Sequence, residues 1–185
     1  EMQRSLVGSE MCIRDRGGLV PDLTEPKALV TLLHEKLRLP LLDFTIGNPY
    51  VNPHVNRPYD GGPYVPGEHP LEGVARMLGC IEQLKKAFPS LCVIGSGFSY
   101  LRQFSPYLAA GAIEQSVCDL AGFGRMAFAY PDFPRDTLYG EGFNARKTCI
   151  ACGKCSALMR AGTVAGCVVR DGETYLPFYR AHCCV

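Results

Sequence analysis

The sequence has no run of lysine or arginine, no aromatic-and-basic motif of the kind that reads RNA, and no acidic tail. Its 19 Lys+Arg against 18 Asp+Glu leave a formal net charge of +1. Nucleic acid is therefore not the expected substrate. No apolar run approaches the roughly 20 residues that a spanning helix needs, so no membrane association is expected. The first residues lack a charged segment followed by an apolar one, which argues against a secretory signal. Internal repeats and low-complexity tracts are also missing. What remains is an ordinary globular composition: 185 residues, 47% hydrophobic and 20% charged, long enough to bury a sizeable core.

Ten cysteines are many for this length. Cys12, Cys80, Cys92 and Cys118 are scattered, Cys149, Cys152, Cys155 and Cys167 form a tight group, and Cys183 and Cys184 adjoin near the end with no role assigned. A secreted disulfide scaffold would be shorter and poorer in core. Clustered cysteines in an apolar α/β-like chain read better as metal ligands in a reducing compartment, here the cytoplasm.

After about residue 17 the chain alternates helix and strand. Thr24-Glu25-Pro26 starts a helix, with the Thr24 hydroxyl as cap and Leu29, Leu32, Leu33 and Leu37 as its apolar stripe. Residues 41–46 read as a strand ending at Gly47-Asn48-Pro49. A Pro-, Gly- and Tyr-rich loop follows over residues 49–69, longer than ordinary connections and so a candidate functional loop. Residues 71–88 read as a helix with Leu71, Val74, Leu78, Ile81 and Leu84 on one face, and 91–94 as a strand closed by Gly95-Ser96-Gly97. A helix over 101–110 stops at Gly111. A strand over 117–121 is closed by Gly122-Phe123-Gly124-Arg125, and a short helical piece covers 126–130. Short apolar strands separated by helices imply parallel pairing, in a barrel or an open sheet. From about Pro134 the periodicity stops.

Two successive strand ends thus carry glycine, where backbone N–H groups can approach an anion, and Arg125 offers a fork that matches phosphate oxygens. Glycine after a parallel strand is also plain turn chemistry, and both readings stand on this pattern. In the long loop, His54, Tyr50 and Tyr59 could line a pocket or be solvated. The tail reads Cys149-x2-Cys152-x2-Cys155-x11-Cys167. Three closely spaced thiolates with a distant fourth suit a [4Fe–4S] cluster, and Ala151 and Gly153 allow a tight loop between ligands. A zinc site, or relict cysteines in a cluster-free protein, stay open as alternatives.

The stretch Gly122-Phe123-Gly124-Arg125-Met126-Ala127-Phe128-Ala129-Tyr130-Pro131-Asp132 resembles the last barrel strand of the old yellow enzyme family. That family includes NADH:flavin oxidoreductases, dienoyl-CoA reductases and trimethylamine dehydrogenase. The resemblance covers about residues 17–180, and the cysteine spacing is similar to its iron–sulfur branch. It implies the C-terminal part of a (β/α)8 barrel, about the last three strands, over residues 17–133, with a cluster-binding tail over 134–185. It implies FMN phosphate on Gly124 and Arg125, lined also by Gly95, Ser96 and Gly97, and a cluster on Cys149, Cys152, Cys155 and Cys167. The loop Gly47-Asn48-Pro49-Tyr50 would lie near the substrate side of the flavin. The implied activity is reduction of an activated C=C bond, or a related small molecule, with NAD(P)H. The alternatives are a non-catalytic iron–sulfur or zinc module and a cluster-free ene-reductase.

A full barrel takes about 250 residues, so the chain is expected to be a piece of one. It should lack the proton donor and the flavin-ring contacts, and be inactive and aggregation-prone alone. The segment Arg4-Ser5-Leu6-Val7-Gly8-Ser9-Glu10-Met11-Cys12-Ile13-Arg14-Asp15-Arg16 resembles translated sequencing-adapter DNA, so residues 1–16 are expected to be non-native.

Overall fold

A computed structural model describes residues 13–15, 19–47, 52–59, 64–140 and 142–184. Most of the segment expected to be non-native lies outside these. Within it, Ile13–Asp15 (β1) pairs antiparallel with Leu19–Pro21 (β2). The chain divides into two compact units. One comprises Glu1–Pro58, Pro66–Phe98 and Pro106–Gly122, and the other Tyr59–Val65, Ser99–Ser105 and Phe123–Val185.

The first unit holds a three-stranded parallel sheet in the order β3 (Leu41–Phe44), β4 (Cys92–Gly95), β5 (Leu120–Ala121). Phe44 stands opposite Gly95, and Gly95 opposite Ala121. Parallel neighbours need a long return, and helices supply it. After β3 come α2 (Pro53–Asn56) and α3 (Pro70–Ala87); after β4 comes α4 (Ser105–Glu114). The fold is thus mixed α/β with parallel strands, as the alternation implied. Among the described residues no helix is long and apolar enough to cross a membrane.

Several elements differ from the sequence reading, each for a local reason. The helix α1 (Thr24–Val30) has Leu23 at its N-cap position and no side-chain cap, so the Thr24 hydroxyl does not cap it; the Asp22 carboxylate accepts the Thr24 N–H at 3.0 Å just before it. It continues as a wider π-type turn over Thr31–Lys36, in which Leu37 N–H reaches Leu32 O at 3.0 Å. That wider turn moves the stripe: Pro26, Val30 and Leu33 are buried, whereas Leu32 and Leu37 are 43% and 61% exposed. In α3 the buried face runs through Val74, Met77, Cys80, Ile81 and Leu84, and the expected Leu71 is exposed. Wholly burying Met77, Ile81 and Leu84 contributes about 1.5–3 kcal/mol apiece.

Beyond β4 a 3-10 segment over Phe98–Phe104 breaks at Arg102 (φ 52°), so α4 starts only at Ser105. Gly111 does not stop that helix. It runs on to Glu114, and Ser116 at φ 57° ends the turn. β5 is shorter than expected because the Asp119 carboxylate takes the Val93 N–H at 2.7 Å, leaving two residues of ladder. Lys85 Nζ meets that carboxylate at 2.8 Å, tying α3 to the sheet. The turns entering β3 and β4 are joined through His34, whose ring nitrogens reach Leu39 O and Ser90 Oγ, each at 2.9 Å.

The second unit contains α5 (Gly124–Ala129), α6 (Phe133–Tyr139), a 3-10 turn at Ala145–Lys147, α7 (Lys154–Arg160) and α8 (Gly172–Cys183). The tail read as aperiodic is therefore built of short helices, three of them too brief to show a stripe.

Candidate functional site

The second unit has its own core, and that core positions the cysteines. Met126 is wholly buried beside Ala129, Tyr130 and Cys149, with Phe123, Phe133, Phe143 and Cys167 packed against them. The Tyr130 ring lies 5.6 Å from that of Phe143, and Lys147 Nζ stands 4.9 Å from its centre. These contacts hold the segment before Cys149 against α5. Cys149 N–H then donates to the Met126 sulfur at 3.5 Å.

From Thr148 the chain folds tightly. Ala151 takes a left-handed conformation (φ 56°) and Gly153 another (φ 73°), the second opening α7. Both are the small residues that the spacing singled out. Alanine at positive φ is uncommon and carries strain that the surrounding contacts must offset. The turn aims Ala151 N–H at Cys149 Sγ, 3.4 Å away. Cys155 rides on the first turn of α7, and Cys167 lies in the loop before α8. There Arg170 N–H donates to Cys167 Sγ at 3.4 Å. The Arg170 guanidinium donates twice to the carbonyl of buried Thr148, from Nε at 3.1 Å and Nη2 at 2.9 Å. One residue thus stitches the Cys167 loop to the Cys149 loop.

Cys149, Cys152, Cys155 and Cys167 line one cleft, with Arg125, Lys154 and Arg170 as its cations. All four are free thiols. Burial pushes the Cys149 thiol up, against the Ala151 N–H and the Arg125 charge, which favour its thiolate. Burial likewise holds Arg125 below the usual guanidinium range, while the neighbouring Cys149, Cys155 and Cys152 act the other way. Among the described residues no group of three or more His, Cys, Asp or Glu converges closely enough to hold a single metal ion. Chemically the cleft offers four soft sulfur donors in a cationic surrounding.

Of the other expected residues, only Arg125 lines that cleft. Gly95, Ser96 and Gly97 belong to the first unit and Gly124 and Arg125 to the second. Gly95 packs so closely that a β-carbon would stand 2.9 Å from the Cys118 sulfur, and Gly97 sits at φ 107° with Met77 Sδ 2.5 Å from its missing β-carbon. Those two glycines have packing reasons. The Ser96 hydroxyl donates to the Asp43 carboxylate at 2.9 Å. Gly124 differs, because a β-carbon there would meet nothing within 4 Å. Asn48, Pro49 and Tyr50 lie outside the described residues. Tyr59 is buried, with its ring 6.0 Å from that of Tyr64, and is no solvated loop residue.

His54 is also mostly enclosed. Its Nε2 stands 3.6 Å from Glu68, which in turn receives two Arg76 bonds at 2.6 and 2.5 Å. Burial lowers its pKa, against the raising effect of Glu68. The sequence reading missed Glu68, Arg76, Met126 and Arg170. Only Arg170 carried a signal, as a cation three residues beyond the last clustered cysteine. Compared with protein-family models, curated proteins and solved structures, the chain matches none.

Proposed function

We propose that the second unit holds a [4Fe–4S] cluster on Cys149, Cys152, Cys155 and Cys167, as part of an FMN-dependent oxidoreductase that uses NAD(P)H to reduce an activated C=C bond or a related small molecule. The observation that carries this reading is the gathering of all four clustered cysteines, and none of the other described ones, on one cleft. Three closely spaced thiolates with a distant fourth are the ligand set expected of such a cluster, and a single zinc on the same four sulfurs is the alternative.

When bound, such a cluster supplies one-electron transfer, and FMN supplies hydride transfer. The residues do the rest. The four thiolates bind, while Ala151 N–H and Arg170 N–H donate to two of the sulfurs and disperse their charge. Gly124 leaves open room for a phosphate to approach the backbone, and the resemblance assigns Arg125 to the same phosphate. The three parallel strands with their return helices are read as the last strands of a (β/α)8 barrel.

The test is anaerobic purification of the product of the intact reading frame, with iron, acid-labile sulfide and flavin measured per chain. About four irons and four sulfides are expected, with FMN. Flavin without iron would leave a plain ene-reductase, one zinc without iron a structural module, and iron without flavin would overturn the barrel reading.

A further inference from the structure

Arg125 is placed by its neighbour. Met126 is wholly buried and its sulfur accepts the Cys149 N–H, so the start of α5 is pinned against the segment that carries Cys149. Met126 N–H is itself held by Ser99 Oγ at 3.3 Å. The Arg125 side chain then lines the cleft formed by the four cysteines. Among the described residues that line it there is no carboxylate, so the fixed charge there is positive. A guanidinium partly withdrawn from water acts on nearby charge more strongly than one in bulk solvent.

We infer that Arg125 raises the reduction potential of the centre held by the four cysteines, its fixed positive charge favouring the reduced and more negative state. This rests on the reading of those cysteines as cluster ligands and adds to the phosphate contact proposed for the same residue. One electron from an external donor adds one negative charge to the centre, and no bond forms or breaks. Arg125 keeps its proton throughout. Lys154 and Arg170 are the other cations on the cleft, and the Arg170 guanidinium donates to the Thr148 carbonyl, so its removal would also disturb the ligand loops.

The experiment compares the native chain with Arg125→Lys and Arg125→Gln, each reconstituted with iron and sulfide without oxygen. Iron and sulfide content is measured first, then the midpoint in a dithionite titration followed by electron paramagnetic resonance. The expected result is full iron in all three, a near-native midpoint for Arg125→Lys, and for Arg125→Gln about a tenfold fall in the reduction equilibrium constant, or about 59 mV for one electron. Failure of Arg125→Gln alone to assemble the centre, with native circular dichroism, would make Arg125 an assembly residue and overturn its role in setting the potential. A native midpoint in Arg125→Gln, equal shifts in both variants, or loss of iron from both would overturn the inference. Absence of iron and sulfide from the native chain would instead overturn the cluster reading.

Discussion

Removing the Arg170 side chain should loosen the Cys149 loop by a predictable amount. Its guanidinium makes two bonds, at 3.1 and 2.9 Å, to the Thr148 carbonyl, and Thr148 is only 2% exposed. A hydrogen bond from a charged donor contributes about 1.5–3 kcal/mol. Here two donors share one oxygen and Arg170 itself is solvent-exposed, so the pair together contributes about 1–2 kcal/mol. A loss of about 1.4 kcal/mol makes local opening about tenfold more frequent. Cys149 is 9% exposed, so a thiol reagent reaches it mainly through such opening. In the metal-free chain, Arg170→Ala should therefore raise the labelling rate of Cys149 about tenfold, read by tandem mass spectrometry at fixed pH. Arg170→Lys should lie between, because an ammonium lacks the fork that donates twice. Cys92 lies in the other unit and serves as the internal reference. A Cys149 rate within twofold of native in Arg170→Ala would refute the claim that Arg170 stitches the two ligand loops.

Four further outcomes follow from the same structure. Met126→Ala should cost about 2–5 kcal/mol by leaving a cavity in the second unit, read as a lower urea midpoint; a loss below about 1 kcal/mol would mean that this core collapses freely. Gly97→Ala should destabilise by more than about 1 kcal/mol, since it meets both positive φ and the Met77 sulfur. Gly124→Ala should leave thermal stability within about 0.5 kcal/mol yet weaken flavin binding measured by fluorescence quenching, and unchanged affinity would remove Gly124 from the phosphate contact. Glu68 is held below the usual carboxylate range by the Arg76 hydrogen bonds, against burial. Its contribution to stability is thus complete above the ordinary carboxylate value and is lost as pH falls through the lowered one. Glu68→Gln should be less stable than native at neutral pH and show a shallower loss of melting temperature on acidification; parallel pH profiles would show that the Glu68–Arg76 pair contributes no such linkage.

The sequence alone determined the order of the three parallel strands with helices between them, and the cysteine group. Those depend on local composition: short apolar strands, helices between them, glycine at strand ends, and Cys-x2-Cys-x2-Cys in a turn with small residues. Ala151 and Gly153, chosen only for their size, take the left-handed conformations that the turn requires. Tertiary structure decided which side of each element is inside. A π-type turn displaced Leu32 and Leu37 from the core, and Met77 and Cys80 took the place expected for Leu71 and Leu78. It decided that Gly95 is required by Cys118 and Gly97 by Met77, while Gly124 faces open space. It also brought Arg125 and Arg170 to the cysteine cleft, one through the burial of Met126 and the other through the Thr148 carbonyl. Residue spacing encodes contacts along a helix or a turn. Contacts between segments tens of residues apart depend on how buried side chains fill space, and no local pattern records that.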